Sequence, residues 1–286
     1  MAIEKIGKFA VLSTLGGGAH SSIFRVRREE DGREYALKVV TIDSPEDKKF
    51  LDQAEHEFRV GQMLDHPNLV KVYCLELEKA LFGLGAVKKA KLLIEFVPGE
   101  TLDKAKLIKP ARLLRIYEQV AAGLTHMHRR GVYHADLKPN NIMLGRGNTA
   151  KILDYGLAWI KSEPKDRVQG TPEYMAPETA SHKLINERTD IYNFGATMYR
   201  LTTFKLPPPA LPPMEGVKLK EKDFKANLKP VLELAPNTPP RLAQLIHACL
   251  EFDANRRPES MADVHAKLTE LAEEAEAKLS PDELDG

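Results

Sequence analysis

The chain has 286 residues, 43% hydrophobic and 29% charged, with a formal charge of +1. That size holds two modest lobes or one large domain; the composition excludes a disordered chain, and the charge argues against a strongly basic nucleic-acid binder. Its two cysteines, Cys74 and Cys249, suggest reduced thiols in a cytoplasmic setting rather than a disulfide framework or zinc site, no apolar run approaches the roughly 20 residues of a membrane helix, and Met1 to Lys8 lacks the apolar core of a signal peptide.

The first third reads as strands. Phe9 to Ser13 runs into Gly16-Gly17-Gly18, Ile23 to Arg27 follows, Asp31-Gly32 marks a hairpin turn, and Glu34 to Val40 is the return strand. A helical pattern runs from about Glu46 to Leu64, with Phe50, Ala54, Phe58 and Met63 near helical spacing. It stops at His66-Pro67-Asn68, because proline disfavours helix in the residue before it. Leu69 to Leu77 and Ala90 to Phe96 read as strands, with Glu78 to Lys89 as the loop between them.

Pro98-Gly99 is a break. Beyond it, Pro110 to Arg130 is an amphipathic helix with proline in its first turn and Gly131 at its end. Ile142 to Leu144 and Ala150 to Leu153 are short strands around Gly145-Arg146-Gly147-Asn148, and Asp190 to Thr203 is an apolar helix. Leu206 to Pro213 is an extended proline-rich run, Arg241 to Glu251 and Met261 to Ala277 are closing helices, and the acidic residues from Ser280 are expected to fray. The expectation is an α+β chain: a β-rich N-terminal lobe (1–96), a connector (97–100), a mainly helical lobe (101–272) and an acidic tail (273–286).

Three stretches carry chemistry. Tyr133-His134-Ala135-Asp136-Leu137-Lys138-Pro139-Asn140-Asn141 packs an acid, a cation and an amide close together. Asp136 can accept a proton from a hydroxyl, Lys138 can face a transferring phosphoryl group, and Asn141 can hold a magnesium ion; phosphoryl transfer needs this positioning and neutralisation more than covalent chemistry. A polar loop with a capping aspartate and a solvated lysine is the bland alternative. Leu15-Gly16-Gly17-Gly18-Ala19-His20-Ser21-Ser22-Ile23 lies between two strands, and its glycines let backbone approach a polyphosphate, although such a triplet is more often a flexible turn. Lys38 stands in the apolar run Ala36 to Val40, where a buried ammonium needs a partner; Glu57 is the preferred one and Glu55 the competitor.

With Asp154-Tyr155-Gly156 and Ala176-Pro177-Glu178 in order after them, these motifs resemble the eukaryotic-type protein kinase catalytic domain from roughly Phe9 to Leu271. The variant is non-RD, with Ala135 before the loop aspartate. The resemblance implies a bilobal protein-kinase-like fold. It further implies that Gly16, Gly18 and Ser21 cover the nucleotide phosphates, with Ser21 in place of a third glycine, and that Leu15 and Gly17 belong to the same ATP-binding stretch. Lys38 holds the α- and β-phosphates and Glu57 fixes it. Ile23, Ala36 and Met143 sandwich the adenine, Ile94 guards the back of the pocket, Glu95 to Val97 form the hinge, and Glu100 contacts the ribose. Asp136 orients and deprotonates the substrate hydroxyl, Lys138 neutralises the γ-phosphate, Thr171 bridges the two, and Asn141 and Asp154 hold Mg²⁺, with Mn²⁺ as an alternative. Glu178 pairs with Arg257, or alternatively Arg256, and Asp190 pins the catalytic-loop backbone. Asp136-Leu137-Lys138-Pro139 and Gly170-Thr171-Pro172-Glu173-Tyr174 resemble serine/threonine kinases.

Several positions depart from the family pattern. Ala135 stands where many relatives have the arginine that meets an activation-segment phosphate, and Trp159 to Gln169 offers only Ser162 as an acceptor. Activity is therefore expected not to require phosphorylation there. Tyr155 replaces the usual phenylalanine and keeps the ring; Asn193 lies where a smaller residue is common. Gly61, counted from Glu57, falls where an apolar residue stacks between Val72 and Tyr155. Either the register differs and Met63 fills the space, which is the preferred reading, or a partner or nucleotide completes the active arrangement. Leu206 to Pro213 with Lys218, Lys220, Lys222 and Lys225 reads as a surface loop and solvated face, or as a docking site at 206–225 for a protein partner. The implied function is an ATP- and Mg²⁺-dependent serine/threonine kinase acting on proteins in the cytoplasm, with no nucleic-acid or membrane partner. The alternatives are a pseudokinase that binds nucleotide without useful turnover and a small-molecule kinase on a related fold.

Overall fold

The structure, a computed structural model, describes residues 5–18, 20–80, 85–105, 108–163, 169–211 and 219–278. Its residues fall into two compact units: Met1–Asp65 with Leu69–Pro98 and Asp154–Gly156, and His66–Asn68 with Gly99–Leu153 and Leu157–Gly286.

Among its described residues, the first unit is an antiparallel sheet with one long helix. Its strands are β1 (Lys5–Ile6), β2 (Phe9–Gly18), β3 (Ser21–Arg28), β4 (Glu34–Thr41), β5 (Val72–Lys79) and β6 (Val87–Glu95), ordered β1-β2-β3-β4-β6-β5, and its helix is α1 (Lys48–Met63). Side chains alternate across a strand, so Tyr35 and Leu37 of β4 join Phe9, Val26 and Leu93 in one buried cluster. Further along, Val40 joins Ala54 of α1 and Ala90 of β6, with Phe50 and Leu51 packed against them. Two expectations are corrected here. The glycine triplet is no turn: Gly16, Gly17 and Gly18 pair with Ile23, Ser22 and Ser21, and a Cβ on Gly17 would lie 2.7 Å from the Ser21 carbonyl oxygen. The loop expected from Glu78 to Lys89 is shorter, because Glu78 pairs with Lys89 and Lys79 with Val87. Lys91 supports this pairing by reaching Glu76 at 3.3 Å and Glu78 at 2.8 Å on the facing strand. Gly83 lies outside the described residues.

The register of α1 follows Glu57, contrary to the preferred reading of Gly61. A Cβ on Gly61 would lie 2.5 Å from Val72 Cγ2, so glycine lets the helix sit directly on β5 and leaves no gap for Met63. Tyr155 is fully buried and donates to the Val70 carbonyl at 2.8 Å. Gly61→Ala is expected to lower stability by roughly 1–3 kcal/mol through overpacking, even though alanine is the better helix former by about 1 kcal/mol. Urea midpoints of the single variant and of Gly61→Ala with Val72→Ala, which should recover most of the loss, check this; an unchanged midpoint for the single variant refutes it.

The second unit is mainly helical. It holds β7 (Gly99–Thr101), α2 (Pro110–Arg129), β8 (Val132–Tyr133), β9 (Ile142–Gly145), β10 (Ala150–Ile152), β11 (Trp159–Ile160), α3 (Pro177–His182), α4 (Glu187–Thr203), α5 (Glu221–Asn227), α6 (Val231–Leu234), α7 (Pro240–Cys249) and α8 (Met261–Glu276). Two small antiparallel sheets, β10-β9-β7 and β11-β8, carry the site loops. Gly99 is required where β7 crosses β9, since a Cβ there would collide with the Leu144 carbonyl. The helix α4 is buried along most of its length and begins three residues before the expected Asp190, because Asn186 caps it by accepting from Arg188 N and Thr189 N. The helices α3, α5 and α6 were not expected; elements this short show no hydrophobic period. The proline-rich run adopts no regular element over 206–211, where Pro207 and Ala210 are buried and Leu206 is exposed. The rest of that run, Lys218 and the tail from Ser280 lie outside the described residues. This architecture, a β-rich lobe and a helical lobe, is of the bilobal protein-kinase fold class.

Candidate active site

In the first unit, strand register sets one set of side chains. Ile23 pairs with Lys38 and Ala36 with Ile94; because directly paired residues and alternate residues point the same way, these four share one face of the sheet. The Lys38 ammonium lies 2.6 Å from Glu57 Oε2, and Glu57 is 2% exposed. Glu57, rather than Glu55, is thus the partner. Burial works against the Lys38 charge, but Glu57 and Asp154 outweigh it and its pKa is raised. Burial pushes Glu57 up to about 7 despite Lys38, and Asp154 adds to that rise. Asp154 sits at positive φ (34°) and accepts the Gly156 N–H at 2.9 Å. A Cβ on Gly16 or Gly18 would meet nothing within 4 Å, so backbone there is open to a ligand. Leu15 is 47% exposed, and Ser21 and Val97 are half-buried. The Glu95 N–H is taken by the Lys71 carbonyl at 2.8 Å.

In the second unit, the loop between β8 and β9 carries the acid. Asp136 Oδ1 accepts both the N–H and the hydroxyl of Thr171 at 2.8 Å, and Asp136 Oδ2 lies 3.0 Å from Lys138 Nζ. Lys138 donates in turn to Thr171 Oγ1 at 2.5 Å. Asn141 donates through Nδ2 to the Asp136 carbonyl at 2.9 Å, so its Oδ1 is the acceptor end of that amide. Met143 pairs with Lys151 and with Thr101, and the exposed Glu100 pairs with Leu144. Arg257, not Arg256, meets Glu178: two bonds of 2.8 Å join them, and the Arg257 side chain is fully buried.

Asp190 is fully buried and organises the loop. It accepts the backbone N–H of His134 at 2.7 Å and of Ala135 at 2.8 Å. This holds Ala135 at φ 64°, a left-handed conformation that a non-glycine residue rarely adopts. A third donor, His128 Nε2 at 2.7 Å, was not anticipated; its other nitrogen lies 3.1 Å from Glu187. His128 and Asp190 are distant in sequence, and only the packing of α2 on α4 joins them. Burial opposes the imidazolium, but the hydrogen bonds to Asp190 and Glu187 outweigh it, and the pKa of His128 is raised to about 9. A folded-state value above the ordinary 6.5 gives stability that is complete below pH 6.5 and is lost as pH climbs through about 9. Resistance to urea should therefore fall by about 1.4 kcal/mol per pH unit across that window, and His128→Gln should remove that slope; parallel pH profiles for the two proteins refute it.

A second unanticipated feature surrounds Ala135. It packs with Tyr133 and Ile185 in a buried cluster that Trp159 covers. The Tyr133 and Trp159 rings lie 5.7 Å apart, β11 pairs with β8, and Trp159 Nε1 donates to the Glu163 carbonyl at 2.9 Å. Asn193, unexplained by its sequence, donates to the Tyr174 carbonyl at 2.5 Å.

An ammonium paired with one carboxylate and raised in pKa by a second, and a carboxylate held by an ammonium and a hydroxyl, are arrangements suited to phosphate charge and to a travelling proton. The comparisons agree. Residues 9–268 match the family model of the protein kinase domain. The chain is 26% identical over 270 residues to serine/threonine-protein kinase PrkC of Bacillus subtilis, covering 92% of this chain and 40% of that protein. It is 32% identical over 271 residues to serine/threonine-protein kinase pkn2 of Myxococcus xanthus, covering 89% and 31%. It is 30% identical over 217 residues to CBL-interacting serine/threonine-protein kinase 8 of Arabidopsis thaliana, covering 72% and 46%. The chain belongs to the protein kinase domain family, whose members use ATP and a divalent metal. It spans less than half the length of each of these relatives. Among the described residues, no helix is long and apolar enough to cross a membrane.

Proposed function

We propose that this domain transfers the γ-phosphate of Mg-ATP to serine or threonine hydroxyls of proteins. The observation that carries the reading is the closed contact among Asp136, Lys138 and Thr171. A substrate hydroxyl beside Asp136 gives its proton to the carboxylate as its oxygen bonds to the γ-phosphorus and the bond to the departing ADP breaks. Lys138 neutralises the phosphoryl oxygens during that exchange. Lys38, kept cationic by Glu57 and Asp154, takes the other phosphates, while Gly16 and Gly18 present backbone to them. Ile23, Ala36 and Ile94 supply an apolar face for the adenine, and the Glu95 carbonyl and Val97 its polar edge; the family resemblance adds Met143 for the adenine and Glu100 for the ribose.

One side chain in each unit offers the kind of donor that a hard divalent cation takes. Asn141 offers an amide oxygen and Asp154 a carboxylate, both oxygen ligands of the kind Mg²⁺ takes alongside water and phosphate. When bound, that metal neutralises the triphosphate. The two free thiols, Cys74 exposed and Cys249 buried, fit a reducing compartment and so a cytoplasmic site of action.

The direct experiment is mass spectrometry of a serine- and threonine-containing protein mixture after incubation with the domain and Mg-ATP, with ADP measured in parallel. Phosphoserine or phosphothreonine that disappears when the metal is chelated is expected; ADP and phosphopeptides at background with metal present overturn the proposal. Activation-segment phosphorylation is not required on this reading, because Ala135, whose side chain carries no charge for a phosphate, packs in an apolar cluster with Tyr133, Ile185 and Trp159. Ser162 is exposed, so Ser162→Ala should change the rate by no more than about twofold. Loss of turnover in a folded Ser162→Ala protein refutes that independence.

A further inference from the structure

The far end of the glycine-rich hairpin is tied down. His20 lays its imidazole on the ring of Phe50 in α1, with centroids 4.3 Å apart and planes 19° from parallel. Its Nδ1 lies 3.3 Å from Asp47 Oδ1, and its carbonyl accepts the Thr41 N–H at 3.1 Å. Asp47 is 7% exposed, and its other oxygen accepts Asp43 N, Ser44 N and Ser44 Oγ at 3.1, 3.0 and 3.0 Å. The carboxylate is therefore fixed in place independently of His20. Phe50 is anchored from below by the cluster of Val40, Ala54 and Ala90. Along α1, Phe50 and Glu57 are close to two turns apart, so they lie on the same helical face. A contact that sets the rotation of α1 at Phe50 also sets it at Glu57, the partner of Lys38.

We infer that His20 is a positioning residue for the nucleotide. Its stack on Phe50 and its contact with Asp47 join the hairpin that covers the phosphates to the helix that holds Lys38, so that both reach their working positions together. The inference rests on the proposed reading of this hairpin as the nucleotide-covering loop.

The test is calorimetric titration with Mg²⁺ and a non-hydrolysable ATP analogue, paired with steady-state kinetics on a peptide acceptor. His20→Ala is expected to weaken analogue binding and raise the KM for ATP about five- to tenfold, the size of one stacked aromatic pair with a weak ion contact. The KM for the peptide should not move. His20→Phe, which keeps the ring, should restore most of the affinity. In a Phe50→Leu background, His20→Ala should add little, because both act through one contact. Analogue affinity within twofold of wild type for His20→Ala, or effects that multiply in the double variant, overturns the inference while the kinase reading stands. Analogue binding without turnover in the wild type sinks the kinase reading instead and still reports on His20. Absence of any nucleotide binding sinks both.

Discussion

Asp136→Asn is expected to lower phosphoryl transfer by about 10²- to 10⁴-fold, the range for removing a positioned general base, while leaving nucleotide affinity and the fold in place. The substitution keeps the size of the side chain and an acceptor for Thr171, which donates to Asp136 Oδ1 through both its N–H and its hydroxyl. It removes the group that takes the proton. It also turns an amide N–H₂ toward Lys138, where the native carboxylate oxygen lies 3.0 Å from the ammonium, so two donors face each other and Lys138 is left with Thr171 as its partner. Initial rates with a serine- or threonine-containing peptide, alongside nucleotide titration, separate the two effects. Equal and negligible rates in wild type and variant, with nucleotide bound by both, are the result that favours a nucleotide-responsive binding module over an enzyme.

The largest structural effect is expected at Arg257. Its side chain is fully buried, and its guanidinium serves Glu178 twice, the carbonyls of Glu251, Arg188 and Phe252, and the face of Tyr192 at 4.9 Å. Removing one partner of a buried ion pair strands the other without water, which typically destabilises by about 3–5 kcal/mol. Arg257→Ala and Glu178→Ala should each show a loss of that order in urea unfolding. Arg257→Lys should rescue little, because an ammonium cannot reproduce the planar fork. Arg256→Ala is the control: that side chain is 57% exposed and meets Glu221 at 3.0 Å, so its loss should stay within about 1 kcal/mol. Similar losses for Arg256→Ala and Arg257→Ala would show that burial is not what makes the Glu178 pair strong.

Much of this molecule was readable before its coordinates. Strand alternation, the Asp31-Gly32 turn and the proline and glycine boundaries of α2 are local signals, and they sufficed to place the β-rich and helical regions. The ordered motifs are short stretches too, and their resemblance to the protein kinase domain is what pointed to the candidate acid, lysines and metal-binding side chains. The distance from Glu57 to the His66-Pro67-Asn68 break was enough to prefer it to Glu55 as the partner of Lys38.

What local signals could not reach depends on residues far apart in the chain. Gly61 read as a gap because nothing in its own helix shows that Val72 occupies the space. The extension of β5 and β6 is supported by Lys91 facing Glu76 and Glu78, a cross-strand pairing invisible until register is known. His128 beside Asp190, the apolar cluster around Ala135, and His20 on Phe50 come from helices and hairpins brought together by the burial of other side chains. The sequence alone thus determined which chemical groups this protein carries and in what order, because those are properties of short segments. Only the tertiary structure decided which groups meet, because a contact between distant residues follows from packing the whole unit around its core.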